Sequence, residues 1–333
     1  MSAAMKLFGK GFAEMLIGST SEPIVGLFIG ILATSIIQSS SSTTSIVVGM
    51  VAGGVLNIAN AIPIVMGANI GTSVTNILVS LVHINRSFEF KRSFAASMVH
   101  DFFNVLAVIT LFPLQYFFNY LGWSATILAD VFRNVGGMNL FNPIKMATQP
   151  VVNLMIDLIG KYPWVLLCIS LFILFVSLKQ MVNALRVLVV QKAEAWFDKI
   201  LFKTALRAFG VGLLITMLAQ SSSITTSLVV PMAGAGILTL AQIFPYTLGA
   251  NIGTTITAIL AALVTGNPNA VVVAFAHLLF NISGIIIWWP LKWVPITMAE
   301  KLSEYAIRNK LILIGYIVVV FFIIPILVIL TFQ

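Results

Sequence analysis

The strip Gln38-Ser39-Ser40-Ser41-Ser42-Thr43-Thr44-Ser45 crowds hydroxyls and a carboxamide into an otherwise apolar stretch, and it recurs as Gln220-Ser221-Ser222-Ser223-Ile224-Thr225-Thr226-Ser227. A second strip, Gly67-Ala68-Asn69-Ile70-Gly71-Thr72, recurs as Gly249-Ala250-Asn251-Ile252-Gly253-Thr254. Both pairs are offset by 182 residues, and from Gln38 to Thr75 against Gln220 to Thr257, 21 of 38 positions are identical. The hydroxyls of Ser39, Ser40, Ser41, Ser221, Ser222 and Ser223 can donate to an oxyanion. Free N–H groups at helix N-termini suit the same ligand. The amide oxygens of Gln38, Gln220, Asn69 and Asn251, with Thr72, Thr75, Thr254 and Thr257 and unwound main-chain carbonyls, suit a small hard cation such as sodium. No Lys or Arg lies in either repeat core. An anion bound there needs its counter-charge from co-bound cations, so the chemistry points to cation-coupled anion transport without identifying the anion.

Other readings of these residues are open. Ser, Thr and Gly-x-x-x-Gly spacing also serve close packing between membrane helices. Duplication of both strips at one spacing favours two halves of a single binding site. A serine nucleophile needs a base and a group to orient it. The chain has only His83, His100 and His277, and neither repeat core holds a carboxylate, so an enzyme is not expected. His100-Asp101-Phe102-Phe103-Asn104 and His277-Leu278-Leu279-Phe280-Asn281 form a third related pair. A proton or ion relay through Asp101 or the histidines is disfavoured, because Asp101 has no counterpart in repeat 2; satisfaction by one another or by a nearby carbonyl, near one end of segment 94–120, is favoured.

The surrounding chain is hydrophobic: 59% of its 333 residues are apolar and 8% charged, with a mean hydropathy of +1.06. This is the composition of an integral membrane protein. The net charge of +8 lies in loops between apolar segments, where it signals topology and not nucleic-acid binding. Cys168 is the single cysteine, which excludes an internal disulfide. Apolar segments fall near 23–37, 46–56, 58–82, 94–120, 163–185, 205–219, 227–240, 241–264, 270–290 and 311–331. A full crossing takes about 20 residues. The short pairs 23–37/46–56 and 205–219/227–240 each flank a serine strip, and we read each as a re-entrant hairpin with the strip at its tip. The paired glycines of the second strips are expected to break the helices 58–82 and 241–264.

Three crossings between the hairpins make the repeats inverted. Arg86, Lys91, Arg92, Arg186, Lys192, Lys199, Lys203, Arg207, Lys292, Lys301, Arg308 and Lys310 then share the face expected to be cytoplasmic. Segments 5–18 and 186–204 are amphipathic and expected to lie along the interfaces. The segment 163–185 has no counterpart ahead of repeat 1, so a further upstream helix is expected. Trp288 and Trp289 read as interfacial anchors.

The paired Gln-Ser-Ser-Ser strips, each followed by Gly-Ala-Asn-Ile-Gly-Thr and His-x-x-x-Asn, resemble the type II sodium-dependent phosphate cotransporter family. The likeness runs through Ala61-Ile62-Pro63-Ile64-Val65-Met66, Phe94-Ala95-Ala96 and Asn281-Ile282-Ser283-Gly284 and covers residues 20–330. It implies sodium-driven uptake of inorganic phosphate by alternating access in a bacterial inner membrane. It implies no organic cofactor and leaves the oligomeric state unstated. It assigns phosphate to Ser39, Ser40, Ser41, Asn69, Ser221, Ser222, Ser223 and Asn251. Sodium goes to Gln38, Ser42, Thr43, Thr72, Thr75, Gln220, Thr225, Thr254 and Thr257. Electrogenic animal members of the family carry an acidic residue where Asn57 stands here, which puts the coupling ratio in question.

The expected fold is an all-α polytopic membrane protein with two inverted-topology repeats, each holding a re-entrant helical hairpin and a broken transmembrane helix. Repeat 1 is 1–120, an extracytoplasmic connection is 121–160, repeat 2 is 161–292, and a C-terminal loop and helix fill 293–333. Carriage of another small oxyanion, a non-transporting scaffold or sensor, and an ion channel are the competing functions.

Overall fold

The computed structural model describes residues 22–134, 142–159, 162–169, 172, 173, 176 and 202–332. Every regular element among them is helical. Five helices are long and apolar enough to cross a membrane: Ile58–His83, Ser87–Phe118, Leu240–Thr265, Pro268–Trp288 and Leu311–Phe332. The expected amphipathic segments 5–18 and 186–204, apart from residues 202–204, lie outside the described residues, as does most of 163–185.

Two helix–turn–helix units hold the serine strips. The first runs α1 (Pro23–Ile37) and α2 (Ser40–Gly53). After α3 (Ile58–Gly71), α4 (Ser73–Ser80), α5 (Ser87–Phe118), α6 (Tyr120–Asn134) and α7 (Asn142–Ile159), the second unit runs α8 (Ala205–Ala219) and α9 (Ser222–Gly234). The strips were expected to be irregular tips. Instead, only Gln38-Ser39 and Gln220-Ser221 form the turns, and the remaining serines open α2 and α9. The reason is local. Gln38 (φ 56°) and Gln220 (φ 47°) adopt the left-handed conformation that ends the preceding helix. Ser39 and Ser221 are extended and accept from the N–H groups of Ser42 and Ile224, as N-cap serines do.

The expected helix breaks at the Gly-Ala-Asn-Ile-Gly strips are corrected. Helix α10 (Leu240–Thr265) runs through Gly249 and Gly253 without interruption. Between α3 and α4 only Thr72 intervenes, itself right-handed helical (φ −61°, ψ −30°). These glycines permit contact. A Cβ on Gly67 would stand 1.9 Å from the Leu27 carbonyl oxygen of α1, and one on Gly249 would stand 2.0 Å from that of Phe209 on α8. Gly30 and Gly212 answer from the other side: a Cβ on Gly30 would stand 2.0 Å from the Ile64 carbonyl oxygen, and one on Gly212 2.0 Å from that of Tyr246. Each serine unit is thus clamped backbone to backbone against a long helix, in the small-residue manner of membrane helix packing. The unwound carbonyls expected as cation ligands are absent from this part of the chain.

The N-caps repeat too. Asn57 accepts from the Asn60 N–H at the start of α3, and Thr239 forms a reciprocal cap with Gln242 at the start of α10. Asn57, the position flagged for its missing carboxylate, is therefore engaged in capping.

Helix α11 (Pro268–Trp288) crosses the core beside α5 and α10. The connection 121–160 holds α6 and α7, and α6 packs its Leu121, Ala125 and Ala129 stripe inward. The supposed C-terminal loop holds a 16-residue helix, α12 (Trp293–Arg308), packed on α5 and tied by Lys91 Nζ to Glu304 Oε1 at 2.9 Å. The last span comprises α13 (Leu311–Val318), a π turn (Val319–Ile323) and α14 (Ile324–Phe332). It is only 17% buried over its most apolar window, as suits a helix whose apolar face meets lipid.

Candidate functional site

The first turns of α2 and α9 are where the paired serines meet. The Ser223 hydroxyl of α9 donates to the Gln38 carbonyl oxygen of the other turn at 3.3 Å. The N-terminus of α9 therefore touches the turn that opens α2, and Ser40, Ser41, Ser222 and Ser223 are all buried. Tyr246, wholly buried on α10, braces this point by donating to the Thr225 carbonyl oxygen at 2.9 Å. Free N–H groups and positive helix ends at such a junction favour an anion.

The threonines of the set divide by how their protons are used. Thr43 and Thr225 donate to the carbonyls of Ser39 (3.2 Å) and Ser221 (3.0 Å). Thr72 and Thr254 donate to those of Ala68 (2.9 Å) and Ala250 (3.1 Å). A hydroxyl that spends its proton on its own helix turns its lone pairs outward, the orientation a cation requires. Ser42 is used differently, donating to Ser39 Oγ at 2.9 Å. Among the described residues, four buried hydroxyls have no partner: Ser41, Thr75, Thr216 and Thr257. Thr75 and Thr257 are equivalent in the two copies, and Thr216 matches Thr34, whose hydroxyl reaches Thr43 at 3.0 Å. An unpaired buried hydroxyl costs about 1–3 kcal/mol, which a ligand would relieve.

Asn69 and Asn251 are held elsewhere. Asn69 Nδ2 donates to Asn281 Oδ1 at 2.9 Å, and its Oδ1 lies 3.0 Å from His277 Nε2. Asn251 Nδ2 donates to Asn104 Oδ1 at 2.7 Å, and its Oδ1 lies 2.8 Å from His100 Nε2. The asparagine of each copy therefore grips the His-x-x-x-Asn pair of the other. This crossed network is wholly buried and joins α3 to α11 and α10 to α5. His100 has a partner at each ring nitrogen and His277 at Nε2 alone, and these partners are carboxamides, not the other histidine. The histidines also sit at mid-length, because α5 begins at Ser87 and not near residue 94.

Sequence reasoning missed Asn76, whose amide nitrogen lies 3.1 Å from His100 Nδ1 and whose oxygen accepts from Thr226 at 2.8 Å. With Asn76 donating, His100 Nδ1 accepts and its Nε2–H donates to Asn251. The copy has Ala258 in place of Asn76, so repetition carried no signal, and His277 Nδ1 accordingly has no partner. Thr34 and Tyr246 were also missed. Single polar residues within apolar runs carry no signal until a partner is seen.

The chain matches the family described as Na+/Pi-cotransporter over residues 1–139 and 173–322. It is 31% identical over 427 residues to sodium-dependent phosphate transport protein 2B of Pongo abelii, covering 98% of this chain and 62% of that one. It is 32% identical over 385 residues to sodium-dependent phosphate transport protein 2A of Rattus norvegicus, covering 92% and 60%. The 2A protein of Mus musculus is 33% identical over 385 residues, with the same coverage. The chain thus spans about three fifths of the length of these relatives. No solved structure matches significantly.

Proposed function

The chain belongs to the Na+/Pi-cotransporter family, and from that premise we propose that it carries inorganic phosphate across a cell membrane together with sodium ions. The observation that carries the proposal is the junction of two equivalent helix N-termini, made by Ser223 on the Gln38 carbonyl. One ligand held between them touches both copies at once. Phosphate oxygens take the Ser39, Ser40, Ser41, Ser221, Ser222 and Ser223 hydroxyls and the free N–H groups behind them. Asn69 and Asn251 act through the crossed network as positioning residues.

Sodium takes the outward lone pairs of Thr43, Thr72, Thr225 and Thr254, the unpaired Thr75 and Thr257 hydroxyls, and the amide oxygens of Gln38 and Gln220, with Ser42 beside them. The two serine units act as re-entrant hairpins of inverted repeats, and phosphate is released to either side as the repeats rock about the junction. The shared offset of 182 residues between the serine strips and between the Gly-Ala-Asn-Ile-Gly strips supports this twofold relation.

Labelled-phosphate uptake into proteoliposomes under an inward sodium gradient, against potassium, tests it. Uptake that needs sodium and is competed by unlabelled phosphate is the expected result. Folded protein that moves no phosphate, or moves it equally in potassium, would refute the proposal. Competition by a different oxyanion at lower concentration would reassign the cargo.

A further inference from the structure

The buried network between the repeats has a fixed sense, set by one atom that can only accept. Asn104 Nδ2 donates to the Asn69 main-chain oxygen at 2.9 Å. The Asn104 side-chain oxygen is thereby turned the other way and accepts from Asn251 Nδ2 at 2.7 Å. Asn251 Oδ1 must then accept from His100 Nε2–H at 2.8 Å. A neutral ring so placed offers its Nδ1 lone pair to Asn76 Nδ2, 3.1 Å away. That leaves Asn76 Oδ1 to take the single Thr226 proton at 2.8 Å, in place of the Ser222 main-chain oxygen at 2.7 Å. Every donor therefore points the same way, from the serine helix α9 of one repeat to the main chain of α3 in the other. Bonds in such a run polarise and strengthen one another.

The copy has no such run. Its bonds start at the His277 main-chain oxygen, pass through Asn281 and Asn69, and end at the His277 ring. Nδ1 of that ring has no partner, because Ala258 stands in the place of Asn76. Thr44, the counterpart of Thr226, donates within its own helix, to the Ser40 oxygen at 2.8 Å. A second tie is one-sided in the same sense: Tyr246 holds the Thr225 oxygen of α9, and its counterpart is Ile64. The first turn of α2 is tied instead to its own hairpin, by Thr34 on Thr43 at 3.0 Å, a bond that Thr216 does not make. We propose that Asn76 is a positioning residue for phosphate binding: through Thr226 it sets the first turn of α9, with Ser222 and Ser223, against the other repeat before phosphate arrives. The α2 serines lack that tie and close on a phosphate already seated on α9. The two halves of the seat, equivalent in sequence, thus contribute unequally to affinity. This inference rests on the phosphate reading above and assigns unequal roles within the same site.

The test is sodium-driven phosphate uptake by the full chain in proteoliposomes, with KM and kcat read separately and thermal unfolding measured for each variant. Thr226→Val deletes one hydroxyl, and Thr44→Val makes the same change at the equivalent position. Thr226→Val should raise the phosphate KM about fivefold, the worth of one hydrogen bond, at a kcat near that of the parent. Thr226→Ser, which restores the hydroxyl, should return KM to the parent value, and Thr44→Val should leave it unchanged. An unchanged KM in Thr226→Val, an equal rise in Thr44→Val, or a rise that Thr226→Ser does not reverse overturns the proposal. If Thr226→Val does not fold, Thr226→Ala against Thr44→Ala decides in the same way. Nitrogen NMR of the imidazole-labelled full chain needs no phosphate and keeps the two readings apart. The His100 signal, identified by its loss in His100→Gln, should be that of the Nε2–H tautomer, and Asn76→Ala should mix the tautomers. A parent that moves no phosphate but shows this tautomer sinks the phosphate assignment and leaves the relay standing. An Nδ1–H tautomer at His100 sinks the relay whatever the uptake.

Discussion

Replacing Gly67 by alanine distinguishes two physical accounts of the same residue by the sign of the effect. If the glycine were there to unwind a helix, alanine would stabilise by up to about 1 kcal/mol through helix propensity. The structure requires the opposite. The new methyl would lie 1.9 Å from the Leu27 oxygen and 2.9 Å from its carbonyl carbon. Ordinary contact between such atoms is about 3.5 Å, so the helices must part by more than an ångström at this point. The obstacle is backbone, which cannot rotate aside as a side chain does. Overpacking of this kind costs about 1–3 kcal/mol or more, and the net of the two terms is destabilising. Gly249→Ala meets the Phe209 oxygen at 2.0 Å and should behave alike. Gly210→Ala, with nothing within 4 Å of its added carbon inside α8, is the matched control and should be neutral or slightly stabilising. The assay is thermal unfolding of the three purified variants in one detergent. A Gly67→Ala protein as stable as Gly210→Ala would refute the close-contact account and restore the helix break.

Further predictions address the network, the junction and the caps. Asn251→Leu strands the Asn104 oxygen and the His100 ring in the core and should cost about 1–3 kcal/mol per orphaned group. A double-mutant cycle with Asn104→Leu should show coupling of about 0.5–3 kcal/mol, and additivity within a few tenths would contradict the crossed pairing. Ser223→Ala removes the bond between the two serine turns, and sodium-driven phosphate uptake should fall severalfold while the unfolding temperature stays near that of the parent. A parallel loss of both would make Ser223 a packing residue. Asn57→Asp should fold as well as the parent, because aspartate caps a helix as well as asparagine. A large drop in its melting temperature would show that Asn57 does more than cap. Ala258→Asn offers a donor to the bare His277 Nδ1 and should raise stability by about 1 kcal/mol; destabilisation would mean the space beside His277 is already filled.

The sequence by itself determined that the chain is a polytopic helical membrane protein, because charge-free apolar runs of spanning length have few other stable states. It also placed the ends of α1 and α8 at Ile37 and Ala219, since the glutamine and serine that follow mark a terminus locally. Repetition at one offset singled out the residues that converge at the junction. Composition could not tell whether two glycines in a helix loosen it or admit a neighbour, because both uses need the same missing Cβ. Only the facing backbone of α1 and α8 decided that. Nor could one repeat reveal that Asn69 serves His277 and Asn251 serves His100. Those pairs are more than 140 residues apart in the chain and meet through the folding of one copy against the other. Partners at that separation are a property of the packed whole. For that reason the roles of Asn76 and Tyr246 emerged from the tertiary structure, while the serines and threonines were legible from the start.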